Sequence, residues 1–298
     1  MRSILCLVTV AFLASAAACH RTATTTTPRG DDPREELLEQ SSVISRAAWE
    51  KSFVETTAAA FAPTGFFAGA GAASQRGAGG ARAWLARDSA NLTSRGRWNT
   101  VFADVSDDGR DGYTFGYLDV FRSSGDSALG TFHAYWRRSD DGQWKILLMA
   151  RAPRDASRAP TPHTLLPRRR EGRSPVDTAT TYAELARTEV AFSDAAATSI
   201  PKAFATYAEP GAAKTDGSVY MFGRESIEAF FTGQKPPPGF TGFQWRPEHG
   251  SVARSGDLGF TTGPVTRRGG AQPGGGPTGR YFTIWRLQPD GTWRYVVD

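Results

Sequence analysis

Gly130-Thr131-Phe132-His133-Ala134-Tyr135-Trp136-Arg137-Arg138-Ser139-Asp140-Asp141-Gly142-Gln143-Trp144-Lys145 runs in step with Gly279-Arg280-Tyr281-Phe282-Thr283-Ile284-Trp285-Arg286-Leu287-Gln288-Pro289-Asp290-Gly291-Thr292-Trp293-Arg294. Gly, Trp, Arg, Asp, Gly and Trp coincide at a constant spacing of 149 residues. Period-two alternation with Asp141-Gly142 or Asp290-Gly291 at the turn predicts a β-hairpin in each stretch. Working upstream, Gly112-Tyr113-Thr114-Phe115-Gly116 falls on Gly259-Phe260-Thr261-Thr262-Gly263, and Trp98 on Trp245, at a spacing of 147. Gly77 and Ala83-Trp84-Leu85 fall on Gly223 and Ala229-Phe230-Phe231 at 146, and Trp49 and Phe61 on Phe192 and Phe204 at 143. Matched blocks in one order, separated by small loop indels, read as an internal duplication.

Helical patterns precede strands in each copy. Asp32-Pro33-Arg34-Glu35 is a capped start with Pro at the first helical position, and the helix is predicted to run to about residue 57 with Leu37, Ile44, Ala48, Trp49 and Phe53 inward. In the second copy Tyr182, Leu185, Phe192 and Ala196 share one helical face, and Ser199-Ile200-Pro201 opens a shorter helix through Tyr207. A third helix after Gly223 carries Ile227, Phe230 and Phe231, and strands follow at 243–245, 258–262, 281–287 and 292–297. Helices first and strands afterwards predict an α+β fold, a twisted antiparallel sheet with helices across one face. Alternation sets Trp136 and Arg137 on opposite sheet faces, and Trp285 and Arg286 likewise, without saying which face meets a pocket.

The 40% hydrophobic and 22% charged composition is that of a globular chain, and 298 residues suit two compact units. Residues 1–18 read as a signal peptide, with Arg2, an apolar run from Ile4 to Ala14 and the small residues Ala16-Ala17-Ala18. Cys19 follows at once, and the only other cysteine, Cys6, lies inside the signal. A lone thiol at the mature start resembles a bacterial lipoprotein's acylated cysteine, with Ala16 where that motif most often has Leu. Signal cleavage without acylation is the alternative, giving a secreted or periplasmic protein. Residues 19–31 read as a flexible tether, 32–152 as a first domain, 153–176 as a Pro/Arg-rich linker and 177–298 as a second domain. The net charge of +5 suits anionic partners, and export argues against nucleic acid among them.

The run from Gly256-Asp257-Leu258-Gly259-Phe260-Thr261-Thr262-Gly263 to Gly279–Arg286 and Asp290-Gly291-Thr292-Trp293-Arg294 resembles the carboxyl half of SnoaL-like domains. These include the domain of unknown function 4440 group, within the nuclear transport factor 2-like superfamily. Gly223-Arg224-Glu225-Ser226-Ile227 is similar to the start of that family's third helix. The resemblance covers most of 178–298 and, more weakly, 35–152, where Ala78-Gly79 replaces Arg224-Glu225. It implies two tandem cone-shaped domains, each a curved, mainly antiparallel sheet wrapped around about three helices and enclosing a cavity. Domains of this kind pair through their sheets, which implies an intramolecular pseudo-dimer. The family hosts isomerases, cyclases, hydrolases and binding or scaffolding domains, so the fold selects no chemistry.

There is no His-Glu-x-x-His, no cysteine pair beyond the signal and no nucleophile elbow, so no metal, no cofactor and no covalent catalysis are expected. Acid–base candidates are His133, held by a carboxylate such as Asp104 or Asp119, and Asp257 at a strand start, where turn chemistry is the simpler reading. Trp49, Trp98, Tyr113, His133, Phe192, Trp245, Phe260 and Tyr281 are the pocket candidates, although matched aromatics also read as core. The expected function is an exported envelope protein, lipid-anchored through Cys19, whose cones bind a small apolar or amphipathic molecule or a protein partner without evident catalysis. The alternatives are an isomerase, cyclase or hydrolase using one cone, and a purely structural scaffold.

Overall fold

A computed structural model describes residues 32–69, 75–157, 165–215, 219–269 and 278–298. The signal, Cys19 and the tether lie outside the described residues. The first half runs α1 (Pro33–Glu50), α2 (Phe53–Ala59), β1 (Phe61–Phe67), α3 (Gly77–Leu85), a 3-10 turn, β2 (Arg95–Val105), β3 (Asp111–Phe121), β4 (Ser127–Ala128), β5 (Gly130–Arg138) and β6 (Trp144–Pro153). The second runs α4 (Thr178–Thr198), α5 (Ile200–Tyr207), β7 (Ala208–Thr215), β8 (Tyr220–Phe222), α6 (Arg224–Gly233), β9 (Phe240–Trp245), β10 (His249–Val252), β11 (Leu258–Gly269), β12 (Gly279–Leu287) and β13 (Trp293–Val297). The first sheet is ordered β1-β6-β5-β3-β2 with β4 on β3, and the second β10-β11-β12-β13-β7-β8 with β9 on β11. Each is antiparallel except where β1 joins β6 and β7 joins β13. The fold class is α+β, with two mixed sheets and three α-helices to each.

Local chemistry sets the ends. The Asp32 carboxylate accepts from Arg34 N at 3.0 Å, and Pro33 opens α1. The helix predicted to reach residue 57 breaks earlier, because Lys51 leaves helical geometry and the Ser52 hydroxyl caps a new helix by accepting from Glu55 N. Gly142 and Gly291, at φ 83° and 79°, close the two hairpins, where Ser139 N→Gln143 O and Gln288 N→Thr292 O both measure 2.8 Å.

Trp136 and Trp285 point at the helices, each fully buried and each donating its indole N–H at 2.9 Å to a β3 or β11 threonine, Thr114 or Thr261. The helices repeat at 148 residues, not the 143 suggested by aligning Trp49 and Phe61 with Phe192 and Phe204. Leu37 and Leu185 press on Gly112 and Gly259, and the Ser45 and Ser193 hydroxyls bond the backbone of Trp98 and Trp245. Ile44 is therefore the counterpart of Phe192. Phe61 and Phe204 lie in different kinds of element, β1 and α5.

Residues 32–298 form one compact unit with two interiors and a third apolar layer between the sheets. Phe115, Tyr135 and Leu148 meet Tyr220, Phe260 and Val296 in that layer. A reciprocal arginine exchange accompanies it. Arg286 Nη2 reaches the Asp104 carboxylate at 3.1 Å and Val105 O at 3.2 Å, while Arg137 Nη2 reaches Ser251 Oγ at 2.9 Å and Val252 O at 3.5 Å. Ser251 and Val252 stand 147 residues after Asp104 and Val105, so position i of one half touches position j of the other and j touches i. That reciprocity is the signature of a two-fold contact, here within one chain. The largely exposed Pro/Arg-rich linker is fastened at Asp107, which meets Arg173 Nε at 3.1 Å, Arg168 Nη2 at 3.5 Å and Glu171 N at 3.1 Å.

Candidate functional site

His133 sits on β5 in the layer between the sheets, stacked on Phe282 with ring centroids 4.6 Å apart. Its Nε2 lies 3.1 Å from Phe282 O, and burial holds its pKa down at about 4. Neither expected carboxylate holds it, because Asp104 pairs with Arg286 and Asp119 with Arg154. An imidazole neutral at physiological pH, with no carboxylate to orient it, is poorly equipped for proton transfer. Asp257 is fully buried and accepts from Asp107 N, Ser255 Oγ and Arg286 Nη1, which occupies it as a fastening between the halves.

The eight pocket candidates separate. Trp98, Phe192 and Trp245 are interior residues beneath the helices, with Tyr281 packed against the second interior. Tyr113 and Phe260 join His133 between the sheets. Trp49 is 39% exposed, on the outside of α1 against Phe121 and under the Arg97 guanidinium. The 148-residue helix register accounts for it: the position equivalent to Phe192 is Ile44, and Trp49 turns away from the interior. Three candidates do meet, since His133, Trp245 and Tyr281 line one cavity of about 320 Å³ that also holds the Lys214–Asp298 ion pair of 2.7 Å.

Sequence reasoning passed over Glu189. It lies on the apolar face of α4 with Leu185, Phe192 and Ala196, fully buried, and an acid four residues after Leu185 on that stripe was the available signal. Its carboxyl accepts from Trp245 Nε1 at 2.5 Å, Trp285 Nε1 at 3.0 Å and the Thr261 hydroxyl. Burial raises its pKa to about 7 despite those donors. The Tyr281 hydroxyl, with Glu189 and Thr261 as polar neighbours, closes no hydrogen bond among the described residues.

A groove of about 890 Å³ opens at the helix end of the second half. Ile200 and Pro201 at the start of α5, Phe230 and Phe231 of α6, and Phe240 and Phe243 of β9 form its walls. The Phe231 ring packs tilted against Phe204 with centroids 4.4 Å apart, which joins the groove to the second interior. In the first half an aromatic ring occupies the equivalent place. Gly96 stands where the second copy has Phe243, 147 residues on, and the buried Phe53 ring packs so tightly over it that a Cβ would collide. Among the described residues no group of three or more His, Cys, Asp or Glu side chains is placed to hold a metal ion.

No family model and no curated protein matches the chain. Solved structures similar to it include a Nostoc punctiforme protein of unknown function with a cystatin-like fold, at 17% identity over 41% of this chain and 91% of that one, with a TM-score of 0.32. A Novosphingobium aromaticivorans NTF2-like protein with a cystatin-like fold aligns at 19% identity over 42% and 83%, TM-score 0.32. A Salmonella enterica serovar Typhimurium protein of the nuclear transport factor 2 (NTF2-like) superfamily aligns at 13% identity over 41% and 90%, TM-score 0.33.

Proposed function

We propose that this is an exported envelope protein, lipid-anchored through Cys19, whose second half binds a small apolar or amphipathic molecule while its first half acts as a closed scaffold. The observation that carries the reading is the aromatic groove of about 890 Å³ in the second half, at a place where the first half packs Phe53 against Gly96. Apolar concavities with a few polar groups are where proteins take small ligands. The catalytic alternative has a residue with suitable proton chemistry in Glu189, but both its oxygens are occupied by protein donors and none of it is exposed.

Titration with N-phenyl-1-naphthylamine, a neutral apolar probe that brightens in dry sites, tests the binding half. Phe231→Ala is expected to weaken binding about tenfold, the loss of one buried aromatic wall. Binding that ignores Phe231→Ala and Ile200→Ser alike would remove the groove from the reading. Metabolic labelling with a radioactive fatty acid tests the anchor, and label that persists in Cys19→Ser would refute it.

A further inference from the structure

The groove's charge is one-sided. Among the described residues, two basic side chains, Lys235 and Arg267, line it and no acidic one does. Arg267 pairs with Phe243 across β11 and β9, two residues beyond the Val265–Trp245 pair, so it stands on the same sheet face as Trp245 at the mouth of the second interior. Its guanidinium carbon lies 5.3 Å from the centroid of the Phe240 ring, and its buried Nε has no hydrogen-bonding partner among the described residues. A buried, unmatched guanidinium N–H is costly unless something fills it. By the 147-residue spacing the first half has Val120 at this position, so the charge belongs to the open copy alone.

We infer that the groove takes an apolar molecule carrying a single anionic head, the apolar body lying between Phe231, Phe240 and Phe243 and the head meeting Arg267, with Lys235 at the rim. The inference rests on the binding reading above and names its ligand class. A carboxylate fits best, because its two oxygens match the guanidinium fork and reach the unfilled Nε–H. Sulfate or phosphate esters share the chemistry and rank by the same contact.

The test compares decanoate with 1-decanol, which share an apolar chain and differ in the head, by titration calorimetry on the full chain carrying Cys19→Ser so that no detergent is needed. Decanoate is expected to bind about tenfold more tightly, the worth of one charge-assisted hydrogen bond. Arg267→Gln should bring the two ligands together while leaving the melting temperature unchanged, and Arg267→Lys should restore part of the gap. Phe231→Ala should weaken both ligands equally. Equal binding of both ligands to the parent, or a gap that survives Arg267→Gln, overturns the anionic-head assignment while the binding reading stands. No binding of either ligand overturns both.

Discussion

Two buried ionisable groups set opposite pH dependences that should cancel in the parent protein and separate in single variants. Glu189 has its pKa raised from 4.5 to about 7, so above pH 7 the folded state carries a buried charge that the unfolded state solvates. That penalty is absent below about 4.5 and complete above about 7, which makes Glu189 lower the stability as pH rises. His133 has its pKa lowered from 6.5 to about 4, so its contribution is fully present above pH 6.5 and lost as pH falls through 4. At about 1.36 kcal/mol per pH unit each interval corresponds to about 3 kcal/mol. Between pH 4.5 and 6.5 the folded state holds one extra proton on Glu189 and lacks one on His133, so the two slopes oppose each other. Urea unfolding followed by tryptophan fluorescence from pH 4 to 8 measures this. Subtracting parent from Glu189→Gln should give a difference rising by about 3 kcal/mol between pH 4.5 and 7. His133→Phe, which copies its counterpart Phe282, should give one falling by about 3 kcal/mol between pH 4 and 6.5. Asp104 and Glu209, whose pKa values burial also raises, act alike in all three proteins and vanish in the differences. Flat difference curves would refute the assignment of buried charge to Glu189 and of buried neutrality to His133.

Arg286→Met leaves the buried Asp104 and Asp257 carboxylates without their shared cation and should cost about 3–5 kcal/mol in urea unfolding. The corresponding Arg137→Met should cost less, because Arg137 is 38% exposed and water replaces part of what it gives Asp111. Phe192→Ala should cost about 3–5 kcal/mol and Trp49→Ala about 1 kcal/mol or less, and equal losses would return the helices to the 143-residue register. Asp107→Ala removes the acceptor that fastens Arg168, Glu171 and Arg173, and trypsin should then cut the 165–173 strap faster with little change in the melting temperature.

What was legible in the sequence is what local geometry dictates. The terminal hairpins could be read because alternation and Asp-Gly each select one structure, and the third helices because Gly77 and Gly223 both adopt positive φ, at 68° and 83°. The strands β1 and β7 escaped notice: Pro63 and Gly65 interrupt one, Pro210 and Gly211 the other, and both pair in parallel with the last strand of their own half, β7 also antiparallel with β8. The helix register was misread because Trp49 and Phe192 are both aromatic, and residue type was taken for position. Depth in the fold separates them, and depth depends on which turn of α1 or α4 faces β2 or β9. The exchange of Arg137 and Arg286 was visible only as alternation, since a sequence pattern does not say which face meets another sheet.

The comparison of the two interiors also decides what Glu189 is for. In the first half its 148-residue counterpart is Ser41, whose hydroxyl bonds Thr100 Oγ1 at 2.7 Å and does not reach the indole above it. Trp98 Nε1 accordingly finds no acceptor among the described residues. In the second half the longer side chain satisfies both Trp245 and Trp285, so an unpaired donor costing about 1–3 kcal/mol is exchanged for a carboxyl that titrates near neutrality. That exchange is favourable below about pH 4.5, and its gain is eroded as the carboxyl's ionisation is penalised between pH 4.5 and 7, the balance of a packing fixture. A general base needs a free lone pair facing a ligand, and Glu189 faces two indoles and a threonine. The second half therefore differs from the first in two separable ways, a repaired interior at Glu189 and an aromatic mouth at Phe243 and Arg267, and at the mouth the Arg267 Nε–H finds no acceptor among the described residues.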